Sequence, residues 1–290
     1  MSQWGNGRSH LFTEKDETEA FPGSEMTVNQ STGYPSISII VAVLNRAKTL
    51  ARCLESMEAL QYPEKELILM DGGSTDGSLS ILETHQPLMT YFESKPDRGI
   101  YHAWNKALLH ARGEWMCFLG ADDFFWSPHV LTEMAPFLTE AAEKGIRVVY
   151  GQVVKINEAG SIMRIEGKPW QKIRWLMPHG MPLPHPGLMH HRSLFQVHGV
   201  FDESFRIAGD YDLLLRELGK GEALHATGVR VVGSEVGGIA DSLKLLSHKE
   251  VSRARQKNGL PAWTWISLVV YARSWIRLQW KALQAPRTLR

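Results

Sequence analysis

Two adjacent carboxylates, Asp122 and Asp123, follow directly on the apolar run from Trp115 to Leu119. Buried parallel strands read as continuous apolar runs, and ligands bind just beyond their carboxyl ends. Two carboxylates at such a position could hold a divalent cation and, through it, a phosphate. A helix cap would use the same residue type. The pair alone therefore has both a functional and a structural interpretation.

A second acidic pair, Asp210 and Asp212, precedes the leucine-rich stretch from Leu213 to Leu218. This stretch predicts a helix with both carboxylates in its first turn, where the helix dipole stabilises negative charge. Capping explains one acid easily, and it could explain both. The chemical alternative is a general base, since a carboxylate within hydrogen-bond reach of a hydroxyl can accept its proton.

Strands and helices alternate through the part of the chain that carries the first pair. Apolar strands are predicted at residues 36–44, 66–70, 89–93 and 115–119, with amphipathic helices between them. This alternation predicts an α/β fold, with a single, mostly parallel twisted sheet flanked by helices. The loops carrying Asn45, Asp71, Asp97 and Asp122 would then emerge on one side of the sheet. Four polar loop ends at one edge favour a ligand site over four independent caps.

Composition limits the classes of protein to consider. A length of 290 residues suits one large α/β domain with an appendage, or two small domains. The net charge of +1 argues against a nucleic-acid binder with a strongly basic face. Cys53 and Cys117 lack metal-ligand spacing, which predicts buried thiols in a reducing, cytoplasmic compartment. Residues 1–34 are polar, aperiodic and without a secretory layout, and they predict a mobile tail.

Five segments in order resemble the inverting family 2 glycosyltransferases with the A-type nucleotide-sugar fold. They are SIIVAVLNR, LILMDGGSTDGS, SKPDRGIYHAWNKAL, GEWMCFLGADD and FDESFRIAGDYDLLLR. The resemblance runs from about Ser36 to Arg216. The D-x-G-I-Y segment is common among bacterial enzymes of this family that build surface polysaccharides.

The resemblance implies roles for the first loops of the sheet. The acid that ends the second strand, Asp71, would contact the nucleotide base. The first loop, around Val43 and Asn45, would lie against the nucleotide, and Asp97 would join this nucleotide-binding set. These roles suit the carboxyl edge of a parallel sheet.

The resemblance also implies a metal and a base. The family's D-x-D motif binds the ribose and, through a divalent metal, the diphosphate. Gly120 takes the place of its first acid, which leaves Asp122 as the expected ligand of Mg²⁺ or Mn²⁺, with Asp123 beside it. The catalytic base would be Asp210, with Gly209 in place of the usual Glu.

The segment from residue 168 to 191 is rich in Pro, His, Trp and Met and has no clear period. It predicts an irregular wall over the site, where acceptor contacts are usual. Its four histidines are loosely spaced and no cysteine joins them, which disfavours a structural zinc site. His185 could contact the acceptor or a phosphate, or it could be a structural histidine. His185 and Asp212 are therefore the secondary candidates for the acceptor side.

The last part of the chain, residues 239–290, predicts a helical region after a catalytic domain at 35–238. Tryptophans and basic residues recur along 261–284, where the uninterrupted apolar run is too short for the ~20 residues that span a bilayer. Such a helix could lie in the membrane interface or pack against the catalytic domain. Both possibilities stay open at this stage.

The sequence thus predicts an inverting, metal-assisted transfer of a sugar from a nucleoside-diphosphate sugar to a hydroxyl of a saccharide or lipid-linked acceptor. The expected setting is polysaccharide or glycan biosynthesis in the cytoplasm, with peripheral contact to the inner membrane as an open alternative. A nucleotidyltransferase would need a Gly-rich basic loop after the first strand, and an oxidoreductase would need GxGxxG; both are missing. A catalytically decayed nucleotide-sugar or carbohydrate-binding protein remains an alternative, because Gly120 and Gly209 replace acids.

Overall fold

A computed structural model describes residues 33–236 and 243–284. The predicted tail, residues 1–34, lies outside the described part apart from Gly33 and Tyr34, and the boundary predicted at 238/239 also falls outside it. The strands are β1 Ile37–Val43, β2 Lys65–Asp71, β3 Tyr91–Ser94, β4 Trp115–Gly120, β5 Asp123–Phe125, β6 Val148–Ile156, β7 Ile162–Glu166, β8 Met189–His191 and β9 Leu224–Glu235.

Helices cover the sheet and continue beyond it. They are α1 Ala47–Glu58, α2 Ser78–Thr84, α3 Ile100–Leu108, α4 Val130–Glu143, α5 Trp170–Ile173, α6 Arg192–His198, α7 Gly209–Leu218, α8 Lys244–Lys257 and α9 Trp265–Gln284, with 3₁₀ turns at Gln86–Leu88 and Arg174–His179. No helix in the described ranges is long and apolar enough to cross a bilayer.

The strands form one sheet in the order β3-β2-β1-β4-β8-β6-β9-β5, with β7 paired to β6. The four N-terminal strands are parallel to one another, as predicted, and β6 is parallel to β9. Strands β5, β7 and β8 join antiparallel, so the sheet is mixed. The predicted α/β class with a twisted, helix-flanked sheet is confirmed.

Successive side chains of a strand point to opposite faces of the sheet. The central strands β1 and β4 are buried along nearly their whole length, so both faces of the sheet are covered there. In β1, Ile39 and Val41 belong to one apolar cluster with α1 and α4, whereas Ile40 belongs to another with α3 and α7. Each fully buried aliphatic side chain of this kind stabilises the fold by roughly 1.5–3 kcal/mol. The second cluster contains residues of both α3 and α7, which therefore lie on the same face of the sheet.

The segment 168–191 is less irregular than predicted. Its last three residues form β8, which lies in the middle of the sheet between β4 and β6. His190 is fully buried there, and His191 pairs with Trp115. A three-residue strand is too short to give a period, so the sequence did not reveal it.

The C-terminal helices pack on the rest of the protein. Helix α8 lies against α7, and α9 lies against α8. Helix α8 therefore packs against the catalytic domain. Helix α9 contacts the domain mainly through α8 and still exposes apolar side chains such as Trp265, which is 75% exposed.

Candidate active site

The carboxyl ends of the parallel strands lie in register at one edge of the sheet. Asp71, the last residue of β2, pairs with Val43 of β1 and Ser94 of β3. Gly120, the last residue of β4, pairs with Ala42. The loops that follow these strands therefore start side by side, as the sequence predicted for its polar loop ends.

Asp71 is buried and organises the loop that follows it. Its carboxylate accepts hydrogen bonds from the backbone N–H groups of Gly73 and Ser74 at 3.2–3.3 Å. The hydroxyls of Ser74 and Ser94 donate to it at 2.5 and 2.6 Å. A carboxylate with this many donors holds its loop rigidly. Contact between Asp71 and a nucleotide base stays a prediction.

The first loop is locked to the second through Asn45. Its backbone N–H donates to Ser74 Oγ at 2.9 Å, and its side-chain oxygen accepts from the Thr75 N–H at 2.8 Å. Asn45 adopts a φ of 52°, a left-handed conformation that Asn tolerates better than most residues. Val43 directs its side chain into the core, and its carbonyl accepts from the Gly72 N–H at 2.9 Å. The exposed side chains of this double loop include Leu44, Asn45, Thr75 and Asp76.

Asp97 belongs to the same edge through its contact with Gly72. A Cβ at Gly72 would lie 2.5 Å from Asp97 Oδ2, so the Asp97 carboxylate occupies the space beside this glycine. Its Oδ1 accepts from the Gly99 N–H at 2.8 Å and shapes the turn into α3. His102, for which the sequence suggested no role, accepts from the Arg98 N–H at 3.2 Å in the same turn.

Asp122 and Asp123 differ in their surroundings. Asp123 is buried, accepts from the Gly120 N–H at 3.1 Å, and begins β5. Burial, followed by the nearby charge of Asp122, raises the pKa of Asp123 to about 6. Asp122 is half-buried, and no described residue forms a hydrogen bond or ion pair with its carboxylate. A Cβ at Gly120 would lie 2.6 Å from Asp122 Oδ1, so the glycine makes room for this carboxylate at the strand end.

This pair fits a divalent cation that is shared with a substrate. The described ranges contain no group of three metal-ligating side chains, so the protein alone would not enclose an ion. Mg²⁺ and related ions are commonly bound by one or two carboxylates, with water and substrate phosphates completing the shell. Asp122 offers unengaged, hard oxygen donors, and Asp123 adds a second carboxyl group beside it.

Asp210 lies half-buried in the first turn of α7 and is fixed by Tyr101 of α3. The Tyr101 hydroxyl donates to Asp210 Oδ1 at 3.2 Å and to the Ile207 carbonyl at 2.5 Å. Burial, then the charge of Asp210, hold the pKa of Tyr101 well above its usual value, so the phenol remains a donor. A Cβ at Gly209 would lie 2.8 Å from the Tyr101 ring. The tyrosine thus fills the place of the acid expected before Asp210.

The loop before α7 is held from the C-terminal region. Glu250 of α8 is buried, and its carboxylate accepts from the backbone N–H groups of residues 206, 207 and 208 at 2.7–3.1 Å. On the other side, Asn105 of α3 makes hydrogen bonds to the backbone of Phe201. The position of Asp210 is therefore set jointly by α3 and α8.

Asp212 is directed away from Asp210. Its side chain is fully buried, and its Oδ2 lies 3.0 Å from Lys257 Nζ and 3.2 Å from Arg216 Nη2. Asn258 donates to its Oδ1 at 3.0 Å. These contacts join α7 to the end of α8. These contacts stabilise the packing of the two helices, and a role of Asp212 on the acceptor side stays a prediction.

His185 lies near enough to Asp210 for the charge of this carboxylate to act on its pKa. Its ring stacks on Trp104 with centroids 5.3 Å apart, and its buried Nε2 has no hydrogen-bond partner among the described residues. Burial lowers the pKa of His185, against the opposing charge of Asp210. Because its Nε2 is buried, contact between His185 and an acceptor stays a prediction. His179 forms a hydrogen bond with Thr264 Oγ1 at 3.1 Å, whereas the rings of His185 and His190 lie 5.5 Å apart.

Tyr101 and Glu250 were not among the predicted site residues. A signal for Tyr101 existed in its place within the D-x-G-I-Y segment, but the residue that it meets is more than a hundred positions away. The sequence around Glu250 did not indicate a role at the site. The residue lies in a mostly polar segment whose pattern is typical of a solvent-exposed helix.

The chain is similar in sequence to known glycosyltransferases. The sequence pattern of the family Glycosyl transferase family 2 matches residues 38–195. A PGL/p-HBAD biosynthesis glycosyltransferase of Mycobacterium bovis is 32% identical over 189 residues, which cover 63% of this chain and 69% of that protein. An uncharacterized glycosyltransferase of Rickettsia typhi is 28% identical over 203 residues, which cover 66% of this chain and 61% of that protein.

Two solved structures share the fold. S. aureus TarS 1-349 in complex with UDP-GlcNAc superposes with a TM-score of 0.61 at 18% identity, over 77% of this chain and 65% of that chain. The mannosyltransferase PcManGT from Pyrobaculum calidifontis, in complex with GDP-Man and Mn²⁺, superposes with a TM-score of 0.58 at 21% identity, over 77% and 64%. With its A-type fold and a family match over more than half of its length, the chain belongs to glycosyltransferase family 2 and is a transferase enzyme.

Proposed function

We propose that this enzyme transfers a sugar from a nucleoside-diphosphate sugar to an acceptor hydroxyl with inversion at the anomeric carbon. One observation carries most of the proposal: Tyr101 joins Asp210 to α3, the helix that begins directly after the Asp97 turn. A candidate base is thereby attached to the same framework as the candidate donor loops. The structural relatives with UDP-GlcNAc and GDP-Man bound support a nucleoside-diphosphate sugar as donor.

On the donor side, the double loop of Asn45 and Asp71 would receive the nucleoside, with Asp97 beside it. Asp122, supported by Asp123, would hold a divalent metal, which supplies positive charge to neutralise the departing diphosphate. The unengaged carboxylate of Asp122 and the Mn²⁺ in the mannosyltransferase relative support this assignment. The rigid hydrogen bonding of Asp71 keeps the loop ready for binding, with little reorganisation.

On the acceptor side, Asp210 would act as general base. Its Oδ1 already accepts from Tyr101 and from the Tyr211 N–H at 2.8 Å, whereas Oδ2 receives no hydrogen bond from described residues. Oδ2 would take the proton as the acceptor oxygen forms its bond to the anomeric carbon and the bond to the diphosphate breaks. A single displacement inverts the anomeric centre, and no covalent enzyme intermediate is required. His185 would be a secondary contact of the acceptor, reached only when the wall over its buried Nε2 opens.

The wider role that we propose is polysaccharide or glycan biosynthesis at a cytoplasmic location, with a saccharide or lipid-linked acceptor. The glycosyltransferase relative whose name places it in PGL/p-HBAD biosynthesis supports a glycolipid setting. Apolar side chains exposed on α9 support peripheral contact with a membrane. The full chain should then float with anionic liposomes, and recovery only at the bottom of the gradient would argue against membrane contact.

The experiment that tests the reaction uses the full chain, Mn²⁺ and a panel of nucleoside-diphosphate sugars. Release of nucleoside diphosphate and the anomeric configuration of the product are followed by NMR. We expect an inverted product, and Asp210→Asn should bind the donor normally but lose roughly 10²–10⁴-fold in turnover. The exposed Glu143, far along α4, provides the control variant Glu143→Gln. A retained configuration, or near-normal turnover by Asp210→Asn, would reject the mechanism. A decayed binding protein would bind donor without any turnover.

A further inference from the structure

A cavity of about 350 Å³ lies between the 3₁₀ turn at Arg174–His179, helix α8 and helix α9. Its volume is within the roughly 300–1,000 Å³ of small-molecule sites. Most of its wall is apolar, formed by Leu176, Met181, Val251, Trp263, Ile266 and Val270. Pro182, which lines the cavity, precedes His185 by three residues in the chain.

A buried guanidinium lines this apolar cavity. Arg255 of α8 is only 1% exposed. Its Nη1 donates to the Ala262 carbonyl at 3.0 Å and to Ser267 Oγ at 3.3 Å. Its Nε is buried without a hydrogen-bond partner, and no described carboxylate forms an ion pair with it. Nearby acids are engaged elsewhere: Glu250 binds the backbone before α7, and Asp212 binds Lys257 and Arg216.

A buried cation without a counter-ion is costly, and buried charges in proteins are paired as a rule. The fork of an arginine matches the oxygens of a phosphate and can bind two of them at once. The hydroxyl-bearing residues Ser247 and Ser252 also line the cavity. A phosphate, with three or more acceptor oxygens, would use such a donor set.

The apolar wall continues onto the protein surface. The exposed part of this wall is a strip formed by Trp263 and Val270, which line the cavity and are 37% and 47% exposed. A ligand with a charged group in the cavity and an apolar chain over this strip would bury both features. Inorganic phosphate alone would leave the apolar wall without a partner.

We propose that this cavity binds a phosphate-bearing amphiphile, with its phosphate on Arg255 and its alkyl chain along Trp263, Ile266 and Val270. In the reaction proposed above the amphiphile is the lipid end of the acceptor, a role that rests on the proposed function. The neighbouring Tyr211, whose hydroxyl donates to the Met177 carbonyl at 2.8 Å, connects the cavity wall to the turn that carries Asp210. The cavity thereby selects acceptors by their phosphate and apolar chain.

Calorimetric titration of the full chain with octyl phosphate tests the site, with inorganic phosphate and octyltrimethylammonium as probes that lack the chain or reverse the charge. We expect octyl phosphate to bind at least about tenfold more tightly than either. Arg255→Met should weaken octyl phosphate binding about 10- to 100-fold, since hydrogen bonds to a charged group are lost. The control Arg253→Met removes the same charge from the exposed face of α8 and should bind as the wild type does.

A second variant keeps Arg255 and adds bulk at the cavity wall. Gly180 lines the cavity in an extended conformation, and a Cβ there would meet no atom within 4 Å. Gly180→Leu should therefore fold and lose octyl phosphate binding. This variant tests the proposed site even if Arg255→Met does not fold. Unchanged binding by a folded Arg255→Met or by Gly180→Leu, or equal binding of inorganic phosphate, would overturn the proposal. Donor turnover, measured on the same samples, separates failure of this site from failure of the proposed reaction.

Discussion

Substitutions of two acids in one helical turn, Asp210 and Asp212, should have opposite effects. One should lower the stability of the fold, and the other should lower turnover. Asp212→Asn removes a negative charge whose side chain is fully buried between Lys257 and Arg216. Asp210→Asn removes one that is half-buried and faces Tyr101. We expect the first variant to be destabilised while its donor chemistry survives, and the second to be stable and nearly inactive.

The magnitude follows from the contacts of Asp212. Removing one partner of a buried ion pair costs about 3–5 kcal/mol. Lys257 is 44% exposed and keeps Asp202 at 2.8 Å, so solvent and a second acid compensate for part of the loss. We therefore expect Asp212→Asn to lower the free energy of unfolding by about 2–3 kcal/mol. Asp210→Asn retains the oxygen that accepts from Tyr211, and its loss should stay below about 1 kcal/mol.

Urea unfolding followed by far-UV circular dichroism measures the stability of both variants against the wild type, and donor turnover is measured below the unfolding transition. Glu143→Gln serves as the exposed-acid control. The reasoning is refuted if both variants lose equal stability. It is also refuted if Asp212→Asn keeps wild-type stability but loses turnover, because Asp212 would then belong to the catalytic machinery.

Three further substitutions probe the support of the site. Tyr101→Phe should lower kcat roughly 10- to 100-fold with little change in KM for the donor, since it removes a hydrogen bond to Asp210; a change confined to KM would contradict this role. Glu250→Ala leaves three backbone N–H groups before α7 without their acceptor and should lower the free energy of unfolding by about 2–4 kcal/mol; unchanged urea unfolding would show that the cap is dispensable. Gly120→Ala places a methyl group 2.6 Å from Asp122 Oδ1 and should weaken Mn²⁺-dependent donor binding several-fold at nearly unchanged stability, whereas wild-type binding would show that this carboxylate is not needed in its present position.

The parallel half of the sheet could be predicted because β1, β2 and β4 contain continuous apolar runs. Once β1, β2 and β4 are assigned, the rules for parallel sheets place Asn45, Asp71 and Asp122 at one edge, and the register of the strands agrees. Even the division between Asp210 and Asp212 was within reach, because residues two apart on a helix do not face each other.

Other features depend on contacts between distant parts of the chain. The packing of the Tyr101 ring against Gly209 and the capping of the loop before α7 by Glu250 join residues 108 and about 43 positions apart. Strand β8 is three residues long and takes its place from its neighbours rather than from its own pattern. The unpaired charge of Arg255 is likewise not predictable from the sequence of a helix that is mostly polar.

The central claim is that Asp122 binds the donor diphosphate through a divalent metal, and calorimetry tests it most directly. Wild-type protein and Asp122→Ala are titrated with UDP-GlcNAc and GDP-mannose, each with and without Mn²⁺, and Glu143→Ala serves as the control. We expect one of these donors to bind the wild type at least about tenfold more tightly with Mn²⁺, and Asp122→Ala to lose that gain. Mn²⁺-dependent binding that is unchanged in Asp122→Ala would contradict the claim.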